Sequence, residues 1–381
     1  MSNGLRIWIF KLSIMEQTKL NKDRGFLDKQ RLSEEEKTWF ELIKSRIYKT
    51  LGREVQPETK ELPAISIEIL LTPHETAEDW KSFHEALDRA DVCIVETQGW
   101  SEDYLKFIQK LSRGNPFTYI NEKLKKRVMG NYDDRDKVLI ETIYNSKKPV
   151  TFIDLPKGHP LIVNESSDEF ILQGTFENIL GQLGAALKLD AGYQRQREDY
   201  MIASLKIKIG ELVKEFPELR KKNKIRLLIT IGSAHVNLFT SIKKEVTPSV
   251  ERNYGNKPAG YDSDTKALMR YMLDKEVSDE LLARILLGHL TDLRLYTRKL
   301  TTSNNKAGLF ENKIVSYFSL EEIRDFFEEL SRLPAEKGNQ QFARELLFSK
   351  LSEKGIKPPE TEDKLDDFLK LPSLSAKIQD P

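Results

Sequence analysis

Cysteine is almost absent from this chain: Cys93 is the only one among 381 residues. A single thiol cannot form an internal disulfide, and it cannot build a cysteine-rich zinc site. Any metal site in this sequence must therefore draw its ligands mainly from histidine, aspartate and glutamate.

Long apolar runs and an excess of charge of one sign are missing as well. No stretch of 18 consecutive apolar residues occurs, so we expect no membrane span. The apolar run near the start is interrupted by Arg6 and Lys11, which makes it a poor signal peptide. With 61 Lys+Arg against 60 Asp+Glu the net charge is +1, so we expect no nucleic-acid binding. These absences together favour a cytoplasmic protein.

The residues that are present predict an α/β core. Hydrophobic residues make up 39% of the chain and charged residues 32%, which allows a sizeable core beneath a charged surface. Short runs rich in β-branched residues predict buried strands at residues 65–72, 91–96, 149–154 and 225–232. Helical patterns lie between them: 76–90, 101–112, 135–146, 170–189 and 195–216. Strands that alternate with helices are typical of an α/β layered domain.

From these patterns we divide the chain into four parts: an N-terminal accessory helical segment (1–60), the α/β core (61–250), a helical C-terminal region (251–357) and a flexible tail (358–381). The accessory segment contains a helix over 33–51, which begins at a capping box formed by Ser33 and Glu36. In the C-terminal region the pattern predicts helices at 265–273, 278–300, 319–330 and 339–351, and an edge strand at 314–318.

Polar side chains follow all four predicted strands of the core. His74 and Glu75 come after the first, Glu96 ends the second, Asp154 ends the third, and Gly232 leads into His235 after the fourth. Ligands of α/β sheets bind beyond the carboxyl ends of the strands, so we expect these side chains to meet at one rim. Two histidines and three carboxylates are ligand types that suit a divalent metal.

The order of these segments resembles the Tiki/TraB metalloprotease-like proteins, which belong with the erythromycin esterases and the ChaN haem-binding proteins. It consists of a His motif after the first strand, then DVCIVE, IDLP, QREDYM and finally GSAHV. The resemblance covers roughly residues 65–240, and GSAHV with its distance from QREDYM is its most specific part. It implies an α/β fold with a mixed sheet flanked by helices, to which a helical C-terminal extension is added here.

The resemblance also implies roles for individual residues. Gly232 and His235 match the family's late Gly-x-x-His motif, whereas Leu71 stands at the glycine position of the early one. His74, Glu96 and His235 are then the expected ligands of a divalent metal, Mn²⁺ or Zn²⁺. The metal would polarise a carbonyl and activate a water for hydrolysis of an amide or ester. The expected catalytic residues are Glu75 or Glu198 as general base, and Arg197 as an oxyanion stabiliser or as an orienter of Glu96.

Two other functions stay open at this point. The same rim could hold haem, a small molecule or a partner segment without turnover, or the helical C-terminal region could be the functional surface and the core its scaffold. If the protein is a hydrolase, we expect it to bind a small-molecule or peptide substrate. A homo-oligomer also stays open, because the apolar stripe over residues 278–300 needs to be covered.

Overall fold

The computed structural model describes residues 7–9, 63–71, 77–113, 141–159, 161–162, 170–172, 174–232, 234–254, 262–301, 304–332 and 340–371. Its strands are β1 (Ile7–Ile9), β2 (Ala64–Leu71), β3 (Val92–Val95), β4 (Val150–Phe152), β5 (Phe170–Leu172), β6 (Lys224–Ile231) and β7 (Val250–Tyr254). Residues 141–146 are helical. The helix predicted over residues 33–51 lies outside the described residues.

The labelled helices fall into two groups along the chain. Those before residue 250 are α1 (Ala77–Arg89), α2 (Glu102–Ser112), α3 (Phe176–Glu215), α4 (Pro217–Arg220) and α5 (Leu238–Glu245). Those after it are α6 (Ser263–Met272), α7 (Asp279–Thr291), α8 (Leu293–Arg298), α9 (Asn304–Ser316), α10 (Leu320–Ser331), α11 (Gln340–Glu353) and α12 (Glu362–Lys370). No helix among the described residues is both long enough and apolar enough to cross a membrane.

Five strands form one parallel sheet in the order β4-β3-β6-β2-β7. In its centre Ile69 of β2 lies opposite Ile229 of β6, and Cys93 of β3 opposite Leu228. The predicted α/β architecture and its four strands, now β2, β3, β4 and β6, are confirmed. The predicted mixed sheet is wrong for these five strands, because every pair of neighbours is parallel. Parallel neighbours require crossover connections, and the helices supply them.

Both faces of this sheet are covered. Successive side chains of a strand point to opposite faces, so Ile69 packs with Met201 and Leu205 of α3 on one side. Its neighbour Leu70 packs on the other side, in a cluster with Phe83 of α1. Burial on both faces explains why these strands are continuous apolar runs in the sequence.

Helix α3 runs for 40 residues without a break. We predicted two helices instead, over residues 170–189 and 195–216, and that interruption is wrong. Residues on both sides of Gly192 are held by packing, which outweighs the roughly 1 kcal/mol that one glycine costs a helix. The start of the first predicted helix is also wrong, because Phe170–Leu172 form β5 and pair antiparallel with β1. The side chain of Thr175 caps the true beginning of α3.

The two halves of α3 belong to different hydrophobic clusters. Ile179, Leu183 and Leu187 of the first half pack with Leu286 and Phe310 of the C-terminal helices. The second half covers the sheet. The helical region therefore begins inside α3, some 70 residues before the boundary that the sequence pattern indicated near residue 250.

Three further expectations about the C-terminal region are corrected. The predicted helix 278–300 is divided into α7 and α8 by Asp292, which adopts a left-handed backbone conformation and caps α8 with its side chain. The predicted edge strand 314–318 is instead the last turn of α9, which ends at Ser316, and the turn after it; Ile314 and Val315 are buried among helices. The tail contains α12, whose Leu365 and Phe368 are buried in the same cluster. In contrast, the capping box of α10 is confirmed.

Candidate functional site

Residues that follow three neighbouring strands meet at the carboxyl edge of the parallel sheet. Glu96 follows β3, Asp154 follows β4, and His235 lies on the turn after β6. The second half of α3 crosses this edge and adds Arg197 and Glu198. We call these five side chains the rim cluster. Their convergence agrees with the expectation that strand-end polar groups share one rim.

Arg197 connects the acids of β3 and β4. Its Nε donates to Oδ1 of Asp154 at 2.8 Å, and its Nη2 donates to Oδ2 of Asp154 at 2.5 Å. Nη2 also donates to Oε1 of Glu96 at 2.6 Å. Asp154 is completely buried, and its Oδ1 accepts the Leu155 N–H at 2.7 Å as well. A paired geometry of this kind holds a buried carboxylate and a guanidinium in one orientation.

His235 lies between two carboxylates. Its Nε2 is 3.0 Å from Oε1 of Glu96, and its Nδ1 is 3.4 Å from Oε1 of Glu198. His235 is 4% exposed and Glu198 is 3% exposed. Within the described part of the chain, neither oxygen of Glu198 nor Nδ1 of His235 has a hydrogen bond of good geometry. Nδ1 of His235 and the two carboxylate oxygens of Glu198 can therefore each still form a hydrogen bond.

The backbone at Gly232 completes the surroundings of Glu96. Its N–H donates to Oε2 of Glu96, and a Cβ at this position would lie 3.3 Å from the same oxygen. The absence of a side chain lets the turn after β6 approach the carboxylate closely. Glu96 thus accepts from Arg197 and Gly232 and also faces His235.

The electrostatics of the rim cluster follow from these contacts. Burial alone would raise the pKa of Glu96, but its contacts with His235, Arg197 and the Gly232 N–H outweigh burial and hold that pKa well below its usual range. Burial alone would lower the pKa of His235, but Glu198 and Glu96 outweigh it and raise that pKa to about 9. Near neutral pH Glu96 is therefore ionised and His235 carries a proton on both ring nitrogens.

Two polar residues at the edge of the rim cluster were not predicted from the sequence. Gln98 Nε2 donates to the hydroxyl of Tyr193 at 3.0 Å. Burial raises the pKa of that hydroxyl, and Asp154 also raises it, whereas Arg197 and Gln98 lower it. Tyr193 precedes Arg197 by one helical turn of α3. A helical spacing of four from a candidate arginine is the signal that could have identified it.

The sequence-predicted metal ligands are divided between described and undescribed parts of the chain. Glu96 and His235 are brought together, whereas His74 and Glu75 lie outside the described residues. Within the described ranges, no group of three or more His, Cys, Asp or Glu side chains is arranged to hold a metal ion. The predicted ligand set therefore stays a prediction.

Comparison with protein-family models finds none that matches the chain. No curated protein and no solved structure matches it either. The resemblance to the Tiki/TraB proteins accordingly stays a prediction that depends on the motifs themselves.

Proposed function

We propose that this protein is a hydrolase of amide or ester bonds whose reacting groups are His235 and Glu198. The observation that supports the proposal is the buried pair of Glu198 and Nδ1 of His235, 3.4 Å apart, both without another hydrogen-bond partner among the described residues. Buried polar groups are normally satisfied, and an unsatisfied pair of them in a folded protein calls for an explanation, of which a catalytic role is one.

The two groups have complementary roles in this mechanism. Glu198 accepts a proton from an attacking water, whose oxygen forms a bond to the substrate carbonyl carbon. When the tetrahedral intermediate collapses, the protonated His235 donates from Nδ1 to the leaving nitrogen or oxygen. The proton on Glu198 then returns to His235 across the 3.4 Å that separate them. Protons balance over the cycle, and water is the only co-reactant.

The remaining members of the rim cluster position His235. Glu96 holds Nε2 at 3.0 Å, and Arg197 in turn holds Glu96 and Asp154. Nε and Nη2 of Arg197 are used in these bonds, and Nη1 lies 3.5 Å from Oε1 of Gln194, so the geometry supports the orienting role that we expected for Arg197 rather than the oxyanion role. A histidine held through its distal nitrogen presents the other nitrogen in one direction.

The divalent metal predicted from the sequence does not fit the described residues as a set. Glu96 already accepts from Arg197 and the Gly232 N–H and faces His235 Nε2, which leaves it better suited to orient a ligand than to be one. The hydrolysis by Glu198 and His235 uses no metal. Dependence on Mn²⁺ or Zn²⁺ stays a prediction, which assays with each added metal check.

A second candidate function is a binding or scaffold protein that uses this fold without turnover. The observation that favours it is the near-complete burial of Asp154, Arg197, Glu198 and His235, because structural ion-pair networks also perturb titration. Haem binding belongs to this alternative, and a Soret band in the absorbance spectrum of the purified protein would reveal it.

The test measures turnover and stability on the same variants. A panel of peptides and esters is assayed with chelator, with Mn²⁺ and with Zn²⁺, for wild type, Glu198→Gln and His235→Ala. We expect Glu198→Gln to lower turnover roughly 100-fold or more while the protein stays folded. Glu211→Gln on the exposed side of α3, where Glu211 pairs with Lys208, is the matched control. A wild type without turnover under any condition, with a large loss of stability in His235→Ala, would favour the scaffold.

A further inference from the structure

A second group of charged side chains lies in the helical region around the buried Glu311 and has no part in the proposed hydrolysis. It brings together four helices, and we call it the helical charge cluster. Asp262 caps α6, Asp264 lies in the first turn of α6, His289 is near the end of α7, Arg294 is on α8 and Glu311 is on α9.

Arg294 is the centre of this cluster. Its Nε donates to Oε2 of Glu311 at 3.0 Å, and its Nη2 donates to Asp262 and lies 3.4 Å from Oδ2 of Asp264. His289 Nε2 is 3.1 Å from the other oxygen of Asp264. The guanidinium of Arg294 therefore contacts three carboxylates, and the imidazole of His289 contacts one of these, Asp264.

With Asp262 and Asp264 ionised, their two negative charges are balanced by the positive charges of Arg294 and of protonated His289. An ionised Glu311 adds a third negative charge in a place where its side chain is almost fully buried. An uncompensated charge in a buried place is costly, so these surroundings favour a protonated Glu311.

The carboxyl group of Glu311 lies close against helix α7. A Cβ at Gly288 of α7 would lie only 2.9 Å from Oε1 of Glu311, so the carboxyl group is packed directly on the backbone of α7. Burial raises the pKa of Glu311 to about 7, against the attraction of Arg294 and with the help of Asp264 and Asp262. A change in the charge of this carboxyl group therefore acts on α6, α7 and α8 together.

Helix α3 contributes one more acid on the same side. Burial and the charge of Asp264 raise the pKa of Asp190 to about 7. The pKa of His289 is also raised, because Asp264 outweighs the effect of burial. The groups that face Glu311 and its partners are thus Asp190 from α3, Asp262 and Asp264 from α6, His289 from α7, and Arg294 from α8.

We propose that the helical charge cluster is a proton-controlled clamp, in which protonated Glu311 holds α9 against α6, α7 and α8 and ionised Glu311 loosens it. The direction of the pH dependence follows from the difference between the pKa of Glu311 in the folded chain and in the unfolded chain. The folded chain keeps a proton on Glu311 that the unfolded chain has already released, so the clamp is fully stabilising below the unfolded pKa near 4.5. That stabilisation is lost as the pH rises through about 7.

The clamp is connected to the turn that carries His235. Asn237, two residues after His235, donates from Nδ2 to the carbonyl of Met272 at 3.1 Å, and Met272 is the last residue of α6. Loosening of α6 would therefore reach the rim cluster through this bond and through the contact of α6 with α3.

The experiment is hydrogen exchange on the full chain, measured at about pH 6 and about pH 8 and corrected for the intrinsic exchange rate. We expect the protection of the α9 amides to fall roughly 10-fold in wild type between these conditions. Glu311→Gln keeps an oxygen that accepts from Arg294 and cannot ionise, so its α9 amides should change less than about threefold. Glu353→Gln, at an exposed position of α11, should behave as wild type.

If Glu311→Gln does not fold, Asp190→Asn provides the test instead. It removes the acid of α3 from a partly exposed position, and the fall of its α9 protection from about pH 6 to about pH 8 should be smaller than that of wild type. Unchanged α9 protection in wild type, or a change as large as that of wild type in Glu311→Gln or in Asp190→Asn, would overturn the clamp.

Discussion

Arg197 and Asp154 share two hydrogen bonds inside the protein, from Nε at 2.8 Å and from Nη2 at 2.5 Å. The arginine lies on α3 and the aspartate follows β4, so this pair joins the long helix to the edge of the sheet. Because Arg197 also bonds to Glu96, the loss of Asp154 affects the residue that holds His235.

Asp154→Asn should destabilise the protein by about 3 kcal/mol or more, because it leaves the buried Arg197 with one carboxylate fewer. Urea unfolding followed by circular dichroism measures the loss. The control is Asp274→Asn, which removes a carboxylate that is 82% exposed and pairs with Arg195 and should cost less than about 1 kcal/mol. Equal losses in the two variants would contradict the structural role of the buried pair.

Two glycine substitutions in helices should have opposite effects. Gly210→Ala in α3 meets no atom within 4 Å and should stabilise the protein by roughly 0.5 to 1 kcal/mol through helix propensity. Gly288→Ala in α7 places a Cβ 2.9 Å from Glu311 Oε1, and the displacement of Glu311 should cost about 1 kcal/mol or more. Thermal unfolding of both variants beside wild type decides the sign, and a stabilised Gly288→Ala would argue against the close packing of α7 and Glu311.

Cys93 should not react with thiol reagents in the folded protein. It is completely buried in β3, and burial raises the pKa of its thiol to about 12, against a smaller effect of Lys148. The thiolate is the reactive form, so labelling requires opening of the sheet. Labelling by an aromatic disulfide is followed with and without urea, and fast labelling without urea would show that β3 is accessible.

A chain that ends after Tyr254 should aggregate or lose its cooperative unfolding. The first half of α3 would then expose Ile179, Leu183 and Leu187, which are buried against the C-terminal helices, and exposed apolar surface of this kind promotes association. Size-exclusion chromatography and thermal unfolding check the outcome. A soluble monomer as heat-stable as the full chain would mean that the helical region is an independent module.

Local patterns were sufficient for four of the described strands and for the helix cap at Ser319. The β-branched runs at β2, β3, β4 and β6 are each long enough to indicate a buried strand without knowledge of their neighbours. The capping box of Ser319 and Glu322 depends on residues three positions apart, and it is confirmed. Two errors occur where packing outweighs propensity, at Gly192 inside α3 and at the apolar residues 314–316 of α9. A third occurs at Asp292, where a side-chain cap divides α7 from α8.

The residues of the rim cluster were also accessible before the structure, but their relations were not. Strand-end position and family resemblance pointed to Glu96, Arg197, Glu198 and His235. The bonds of Arg197 to Asp154, and the use of Glu96 by a guanidinium and a backbone N–H, depend on which helix crosses the rim. Tyr193 and Gln98 were missed because each is an ordinary polar residue in its own segment.

The amino-acid sequence alone specifies the α/β class, the positions of the buried strands and the kinds of polar groups at their ends, because these depend on neighbours within one or two turns of chain. Which side chains pair with each other, and which of them carry a proton, depends on the tertiary structure. Arg197 reaches Asp154 across 43 positions and His235 reaches Glu96 across 139. The raised pKa values of His235 and Glu311 arise only when folding removes water and brings distant charges within a few ångströms.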